Sequence, residues 1–180
     1  MDNMTLKVMT AEDIDSLYRI IIESLELWTN NLDDMRALVE EINEYFSKGR
    51  VFPYIVFNQI TNQIIGKARL YEVSLEHGII EMGSTVYPDS IQINSVDKEC
   101  VFLLLKHAFQ KLDMTQVQIK VDFQNKRAQK TIKHLGICRE SVLINENILH
   151  NGQVRKTLVY CIVKEEWPLI KLKYKSKIII

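Results

Sequence analysis

The sequence lacks an excess of charge of either sign, which removes one common basis for binding nucleic acids or membranes. Its 180 residues include 23 Lys and Arg against 23 Asp and Glu, so the formal net charge is zero. Without a basic excess there is no general electrostatic attraction to phosphate backbones or anionic lipids. We therefore expect no nucleic-acid partner.

Cysteines and long apolar runs are also scarce. Cys100, Cys138 and Cys161 are odd in number, widely spaced and set in apolar stretches, which favours buried thiols over a disulfide framework or a metal site. No run approaches the roughly 18–20 apolar residues of a membrane span, and the opening MDNMTLKVMTAEDID has no apolar segment of the signal-peptide type. These features predict a cytoplasmic protein without a membrane span or a bound metal.

The periodicity of apolar residues predicts a mixed α/β fold. Thr10 and Asp13 form a helix-start signal, Gly136 closes a later helix, and Asn151-Gly152 marks a hairpin. The predicted strands are residues 6–9, 53–58, 64–73, 77–86, 116–121, 141–149 and 154–163. The predicted helices run from Thr10 to about residue 27, over 33–47, from the polar loop that ends at Ser95 to Phe109, and over 125–135. The order is β-α-α-β-β-β-α-β-α-β-β, which indicates an antiparallel front and helices that cross to later strands.

Several motifs occur within this order. They are EMGSTVYP, the segment Gln92-Ile-Asn-Ser-Val-Asp97 ahead of LLLKHAF, then VDFQNKRAQKTIKHLG, and finally VYCIVKEEWP. With the element order, they resemble the GNAT superfamily of acyl-CoA-dependent N-acetyltransferases, and more narrowly its RimJ/RimL-type branch. The resemblance runs from Met4 to Pro168, so we predict a GNAT domain over residues 1–168 and a basic, apolar tail over 169–180, either docked or frayed.

The resemblance implies a site for the pyrophosphate of acetyl-CoA ahead of the central helix. Helix N-termini favour phosphate because their first N–H groups are unpaired and the helix dipole is positive there. The corresponding residues here are Gln92, Ile93, Asn94, Ser95, Val96 and Asp97. Ser95 and Asp97 stand where the family has small residues; Ser95 suits an N-cap, whereas the Asp97 carboxylate would repel phosphate unless it points away.

Further cofactor contacts are implied on both sides of this segment. In the GNAT fold the strand before it splays from its neighbour, and free backbone groups, here of Thr85, Val86 and Tyr87, pair with the pantetheine arm like an added strand. The resemblance also implies that Asn125, at the start of the next helix, lies near the pantetheine arm, and the charge of Arg127 suits the CoA phosphates. A plain helix cap at Asn125 and a solvated basic helix face at Arg127 are the alternatives.

Two residues are candidates for catalysis. A base must take a proton from the acceptor ammonium, because only the neutral amine attacks a thioester; Glu81 on the third strand of the meander suits that role, with a structural carboxylate as the alternative. The resemblance makes Ser141 the candidate for protonating the leaving CoA thiolate, because RimL-type enzymes have a Ser near this position.

The sequence thus predicts an N-acetyltransferase that uses acetyl-CoA as co-substrate and transfers the acetyl group directly to an amine. The acceptor is a protein N-terminus or a small-molecule amine, and acidic residues within 11–48 favour a cationic one unless they are merely solvated. A GNAT-like CoA-binding or regulatory module with impaired catalysis is the alternative, and a homodimer is left open.

Overall fold

The computed structural model describes residues 4–13, 16, 44, 47–86, 93–148 and 154–176. These residues form a mixed α/β structure with short 3-10 turns at Ala11–Asp13 and Lys164–Glu166. Its strands and helices are β1 Met4–Val8, β2 Phe52–Asn58, β3 Gln63–Ser74, β4 Ile79–Val86, α1 Ile93–Gln110, β5 Gln116–Asp122, α2 Lys126–His134, β6 Cys138–Ile148, β7 Val154–Val163 and α3 Trp167–Ser176.

The strands form one seven-stranded sheet in the order β1-β2-β3-β4-β5-β7-β6. Neighbouring strands run antiparallel except β4 and β5, which are parallel and are joined through α1. A parallel pair requires such a crossover, because its two strands start at the same edge of the sheet. The predicted mixed α/β fold, with an antiparallel front of β2 to β4, is confirmed.

The hydrophobic core lies between one face of the sheet and α1. Alternate residues of the central strands are buried there, including Leu70, Ile80, Val117 and Tyr160. From α1 they meet Val96, Cys100, Val101, Phe102, Leu104, Leu105, Ala108 and Phe109. Because strand side chains alternate between faces, the residues between the buried ones project to the opposite face of the sheet.

Residues 169–176, which fall in the predicted tail, belong to helix α3 and pack on α1. Trp167 and Ile170 are buried, and the ring of Tyr174 stacks on Phe102 with centroids 3.9 Å apart. Trp167 lies 5.2 Å from Phe102 by the same measure. Large aromatic surfaces buried in this way hold a short C-terminal helix in place.

Two predicted helix signals, one at a start and one at an end, occur in the structure. Thr10 donates its N–H to the Asp13 carboxylate at 2.8 Å, so the helix-start signal is correct. Gly136, at φ +81°, ends α2 as expected. The two predicted helices that follow Thr10 and cover 33–47 lie outside the described residues except at isolated positions, and the Asn151-Gly152 turn lies outside them entirely.

Two sequence expectations were wrong. Cys138 is exposed rather than buried, because it opens the edge strand β6, and Cys161 is only partly buried. Ser95 is not an N-cap, since α1 begins at Ile93 and Ser95 is its third residue.

Among the described helices, none is both long and apolar enough to cross a membrane.

Candidate active site

The sheet opens between its two parallel strands. The β4–β5 ladder pairs Ile79 with Gln116 and ends where Met82 meets Ile119, although both strands continue beyond that point. Past the end of the ladder β4 stays with β3 and β5 stays with β7. The edges of β4 and β5 that face each other therefore carry backbone N–H and C=O groups outside the ladder, which can pair with an extended ligand.

The pairing of β3 with β4 shifts register at the same level. Arg69 pairs with Gly83 and Lys67 with Val86, so one extra residue of β4 is accommodated between these pairs. A bulge of this kind bends a strand and increases its twist. Thr85 and Val86, two of the predicted pantetheine contacts, lie on this bent part of β4; Tyr87, the third, lies outside the described residues.

Helix α1 begins close to the residues predicted to hold phosphate. Gln92 is outside the described residues, whereas Ile93, Asn94 and Ser95 form the first turn of α1. The segment is therefore mostly helix rather than loop. The N–H groups of a first turn have no partner within the helix, so the local chemistry suits an anion.

Asp97 belongs to the second turn of α1 and points into the protein. Its side chain is 7% exposed and forms an ion pair with Arg127, with 3.3 Å between Nε of Arg127 and Oδ2 of Asp97. Its other oxygen, Oδ1, is buried and has no hydrogen-bond partner within the described part of the chain. Burial raises the pKa of Asp97 to about 6, and the nearby Arg127 only partly opposes that shift.

Arg127 therefore has a role that sequence alone did not reveal. It bridges α1 and α2 through Asp97 and remains 41% exposed. A guanidinium group has five N–H donors, so the ion pair leaves others to reach a phosphate. The negative charge of Asp97 is balanced internally and is directed away from solvent.

Asn125 caps helix α2. Its side-chain oxygen accepts the N–H of Ala128 at 3.0 Å, and Gln129, which is buried, donates to the carbonyl of Phe123 at 2.7 Å. These two bonds fix the turn between β5 and α2. The capping interpretation of Asn125 is confirmed, and its contact with a cofactor stays a prediction.

Glu81 lies at the end of the β4–β5 ladder, one residue before Met82. It is only 5% exposed, and it projects to the sheet face opposite α1 because Ile80 and Met82 fill the core. Tyr71 donates its hydroxyl to Oε1, and Nζ of Lys120 lies 2.9 Å from Oε2. Each carboxylate oxygen has two lone pairs, so both can still accept a bond from a substrate.

Tyr71, Lys120 and Arg69 were not among the sequence candidates. Burial and the hydrogen bond to Glu81 raise the pKa of Tyr71, which keeps the phenol protonated as a donor. Arg69 lies over the Tyr71 ring, with its Cζ atom 4.6 Å from the ring centroid. Alternation along Lys67-Ala-Arg-Leu-Tyr71 was the available signal, because it puts these polar side chains on the face of Glu81.

Ser141 is not close to Glu81. It is exposed on the edge strand β6 and pairs with Val159 of β7. Strands β5 and β7 separate β6 from β4, which corresponds to about 14 Å at the usual strand spacing. Protonation of a thiolate by Ser141 stays a prediction that this position does not support. Among the described residues no group of His, Cys, Asp and Glu is arranged to hold a metal ion.

Comparison with known proteins gives a family and a fold. Residues 3–137 match the family model described as the acetyltransferase (GNAT) domain. No curated protein matches the chain by sequence.

Three solved structures illustrate the similarity. A candidate acetyltransferase from T. thermophilus is 25% identical, with a TM-score of 0.79 over 97% of this chain and 93% of the other. A candidate ribosomal-protein-serine acetyltransferase from Vibrio cholerae is 20% identical, with a TM-score of 0.76 over 91% and 95% of the two chains. The dodecameric spermidine N-acetyltransferase of Vibrio cholerae is 16% identical, with a TM-score of 0.76 over 93% and 97%.

Proposed function

The chain belongs to the GNAT acetyltransferase family, and from this premise we propose that it transfers an acetyl group from acetyl-CoA directly to an amine bound on the Glu81 face of the sheet. The observation that carries the proposal is the opening between β4 and β5. Glu81 lies beside the last pair of the ladder, where the opening starts, and α1 is the next element after β4 along the chain. A thioester held in that opening would meet an amine at Glu81 without a covalent enzyme intermediate.

The cofactor end of the proposed site consists mainly of backbone. N–H groups of Ile93, Asn94 and Ser95 would hold the pyrophosphate, with Arg127 as an added donor. Thr85 and Val86 would pair with the pantetheine arm through main-chain groups, as an added strand does. These residues fit acetyl-CoA because Asp97, the one carboxylate of the segment, points into the protein.

The chemical step assigns one task to Glu81. The acceptor ammonium donates a proton to the Glu81 carboxylate, directly or through a water, and the neutral nitrogen then attacks the thioester carbonyl. The nitrogen–carbon bond forms, the carbon–sulfur bond breaks, and the second proton that the nitrogen loses goes to the CoA thiolate. Tyr71 and Lys120 hold the carboxylate in position, and backbone N–H groups of β4 polarise the carbonyl.

The branch of the family, the acceptor class and the location are proposed from the resemblance in the sequence. We assign the chain to the RimJ/RimL-type branch, whose acceptors are protein N-termini or small-molecule amines, and we keep a cytoplasmic location as a prediction. Neighbours of similar fold include a candidate ribosomal-protein-serine acetyltransferase and a spermidine N-acetyltransferase, so both acceptor classes have precedent in this fold. Because the spermidine N-acetyltransferase is dodecameric, we also propose that this chain self-associates, for example as a homodimer.

A regulatory module with impaired catalysis is the second candidate function. The reason to consider it is the carboxylate of Asp97 in the segment predicted to bind phosphate. The structure weakens that reason, because Asp97 is buried and paired with Arg127, although its Oδ1 atom has no hydrogen-bond partner in the described structure.

Titration of acetyl-CoA into the purified protein, followed by calorimetry, tests the proposal. We expect saturable binding with a Kd on the order of micromolar, and its loss in Ser95→Tyr, which would block the first turn of α1. Lys106→Gln, an exposed position farther along α1, is the matched control and should bind normally. Thiol release with a panel of amines then separates the enzyme from the module, and no binding at millimolar acetyl-CoA would overturn both.

A further inference from the structure

The face of the sheet that carries Glu81 also carries a row of basic side chains on β3. Ala68 and Leu70 are buried in the core against α1, so Lys67, Arg69 and Tyr71 lie on the opposite face. An added Cβ on Gly83 would come within 3.0 Å of the Tyr71 ring, which places Gly83 on this face as well. The row therefore runs beside the opening between β4 and β5.

The described charges at this opening are mostly positive. Lys67, Arg69 and Lys120 are cations, Glu81 is the buried anion among them, and Glu72 is an exposed anion next to Tyr71. Since Glu81 already pairs with Lys120 at 2.9 Å, Lys67 and Arg69 remain as the positive excess. Asp122 is a further anion on β5, but it is the last residue of that strand, and its carboxylate accepts the N–H of Gln124 at 2.7 Å.

Arg69 is held in a way that suits a ligand. Its guanidinium lies on the Tyr71 ring, its Nε atom is buried, and that atom has no hydrogen-bond partner in the described structure. A buried donor without a partner is costly. Burial and the charge of the neighbouring Arg69 lower the pKa of Lys67. An anion bound between the two cations would remove their mutual repulsion.

Resting on the proposed function, we propose that the acceptor is a small amine that also carries an anionic group, a carboxylate or phosphate, bound by Arg69 and Lys67 while its amine lies at Glu81. A planar guanidinium binds such groups through two parallel hydrogen bonds. Positions two apart on β3 are separated by about 6.8 Å, and Tyr71 pairs directly with Glu81. The amine and the anion would thus be a few bonds apart. A polyamine would meet two like charges and bind poorly.

Matched pairs of amines test this specificity through initial rates of thiol release. The pairs are β-alanine with β-alaninamide, γ-aminobutyrate with its amide, and phosphoethanolamine with ethanolamine, with spermidine as the cationic contrast. We expect kcat/KM at least tenfold higher, in at least one pair, for the amine that carries the carboxylate or phosphate than for its counterpart without that group and for spermidine. Equal rates, or a preference for spermidine or for the amines without an anionic group, would overturn the proposal.

Variants then locate the anion. Arg69→Gln and Lys67→Gln should each reduce the preference severalfold with little change in the KM for acetyl-CoA, while Lys106→Gln keeps it. If the KM for acetyl-CoA rises instead and the acceptor preference persists, these cations bind the phosphates of the cofactor and the proposal is wrong. Thermal melting of each variant shows whether it is folded, and Lys67→Gln serves if Arg69→Gln is not.

A binding measurement covers the case in which the panel lacks a good acceptor. N-acetyl-β-alanine and its amide, which resemble products, are titrated into the protein saturated with CoA. Tighter binding of the carboxylate by tenfold or more, lost in Arg69→Gln, supports the proposal, and equal binding of the two overturns it. Failure of the proposed function itself looks different, since acetyl-CoA would then neither bind nor release thiol.

Discussion

Two buried carboxylates, Glu81 on the sheet face opposite α1 and Asp97 on α1 itself, are each paired with one partly exposed basic side chain. Glu81 has a side chain 6% exposed and lies 2.9 Å from Lys120, whose side chain is 34% exposed. Asp97 is 7% exposed and lies 3.3 Å from Arg127, which is 41% exposed. The two pairs are alike in burial and in the sign of the charges.

They differ in how well the carboxylate is satisfied. Glu81 has a partner on each oxygen, Tyr71 on one and Lys120 on the other, whereas Oδ1 of Asp97 has none in the described structure. Burying a charge is costly unless it is both paired and hydrogen-bonded. A buried acid next to a basic residue is therefore not by itself a catalytic feature, because Glu81 lies beside the last pair of the β4–β5 ladder, whereas Asp97 joins two helices.

The largest expected effect comes from Glu81→Gln. The amide cannot accept a proton from the acceptor, so kcat should fall about 10²-fold or more, as is usual when general base catalysis is lost, while the KM for acetyl-CoA changes little. Steady-state thiol release measures both quantities.

Ser141→Ala is the matched control for that variant, because Ser141 is exposed and lies two strands beyond β5. We expect its kcat to remain within about twofold of the parent. A fall of more than tenfold would instead support the prediction that Ser141 protonates the thiolate. A kcat near normal in Glu81→Gln would make Glu81 a structural carboxylate.

Arg127→Ala tests the other pair and should have an intermediate effect. Removal of the cation leaves Asp97 buried and unpaired, which should destabilise the fold by about 1–3 kcal/mol, between the values for exposed and buried pairs. Urea denaturation measures this change, with Lys130→Ala on the same helix as control.

The double variant Arg127→Ala with Asp97→Asn sharpens the test. It should recover much of the lost stability, because the uncompensated charge is gone. Destabilisation that stays unchanged in the double variant would show that Arg127 acts through its own packing. Weaker acetyl-CoA binding in both would support a direct contact of Arg127 with phosphate.

The smallest effect is expected for Asp97→Asn, and it depends on pH. The pKa of Asp97 is raised from 3.8 to about 6 in the folded protein, so between these values the folded state binds more protons than the unfolded state. Stability therefore falls as pH rises through this window. The variant should melt higher than the parent at pH 7.5, by about 2–4 °C per 1 kcal/mol, and the gain should vanish near pH 4. A gain that is the same at both pH values would contradict the assignment to this carboxylate.

Local patterns in the sequence predicted most of the described fold. Alternation identified β2 to β5 and β7, Gly136 ended α2, and the Thr10–Asp13 signal marked the first helical turn. Boundaries were less reliable where a residue suits two roles. Ser95 favours an N-cap as readily as the first turn of a helix, so the start of α1 was placed too late.

The candidate site was only partly predictable for a different reason. Glu81 could be found because its strand and its chemistry are local properties. Its partner Lys120 is 39 positions away in the sequence (120 minus 81) and becomes a neighbour only because β5 lies beside β4. The inward direction of Asp97 likewise depends on α2 lying against α1.

The sequence by itself determined the strands and the helices α1 and α2 up to their boundaries, since the spacing of apolar side chains is a property of consecutive positions. Helix α3, which fell in the predicted tail, was not among them. It also determined the family, through the order of its motifs. Only the tertiary structure decided which carboxylate faces the opening and which is buried between helices, because that depends on contacts between segments far apart in the chain. Two acids of similar burial thereby acquired different surroundings.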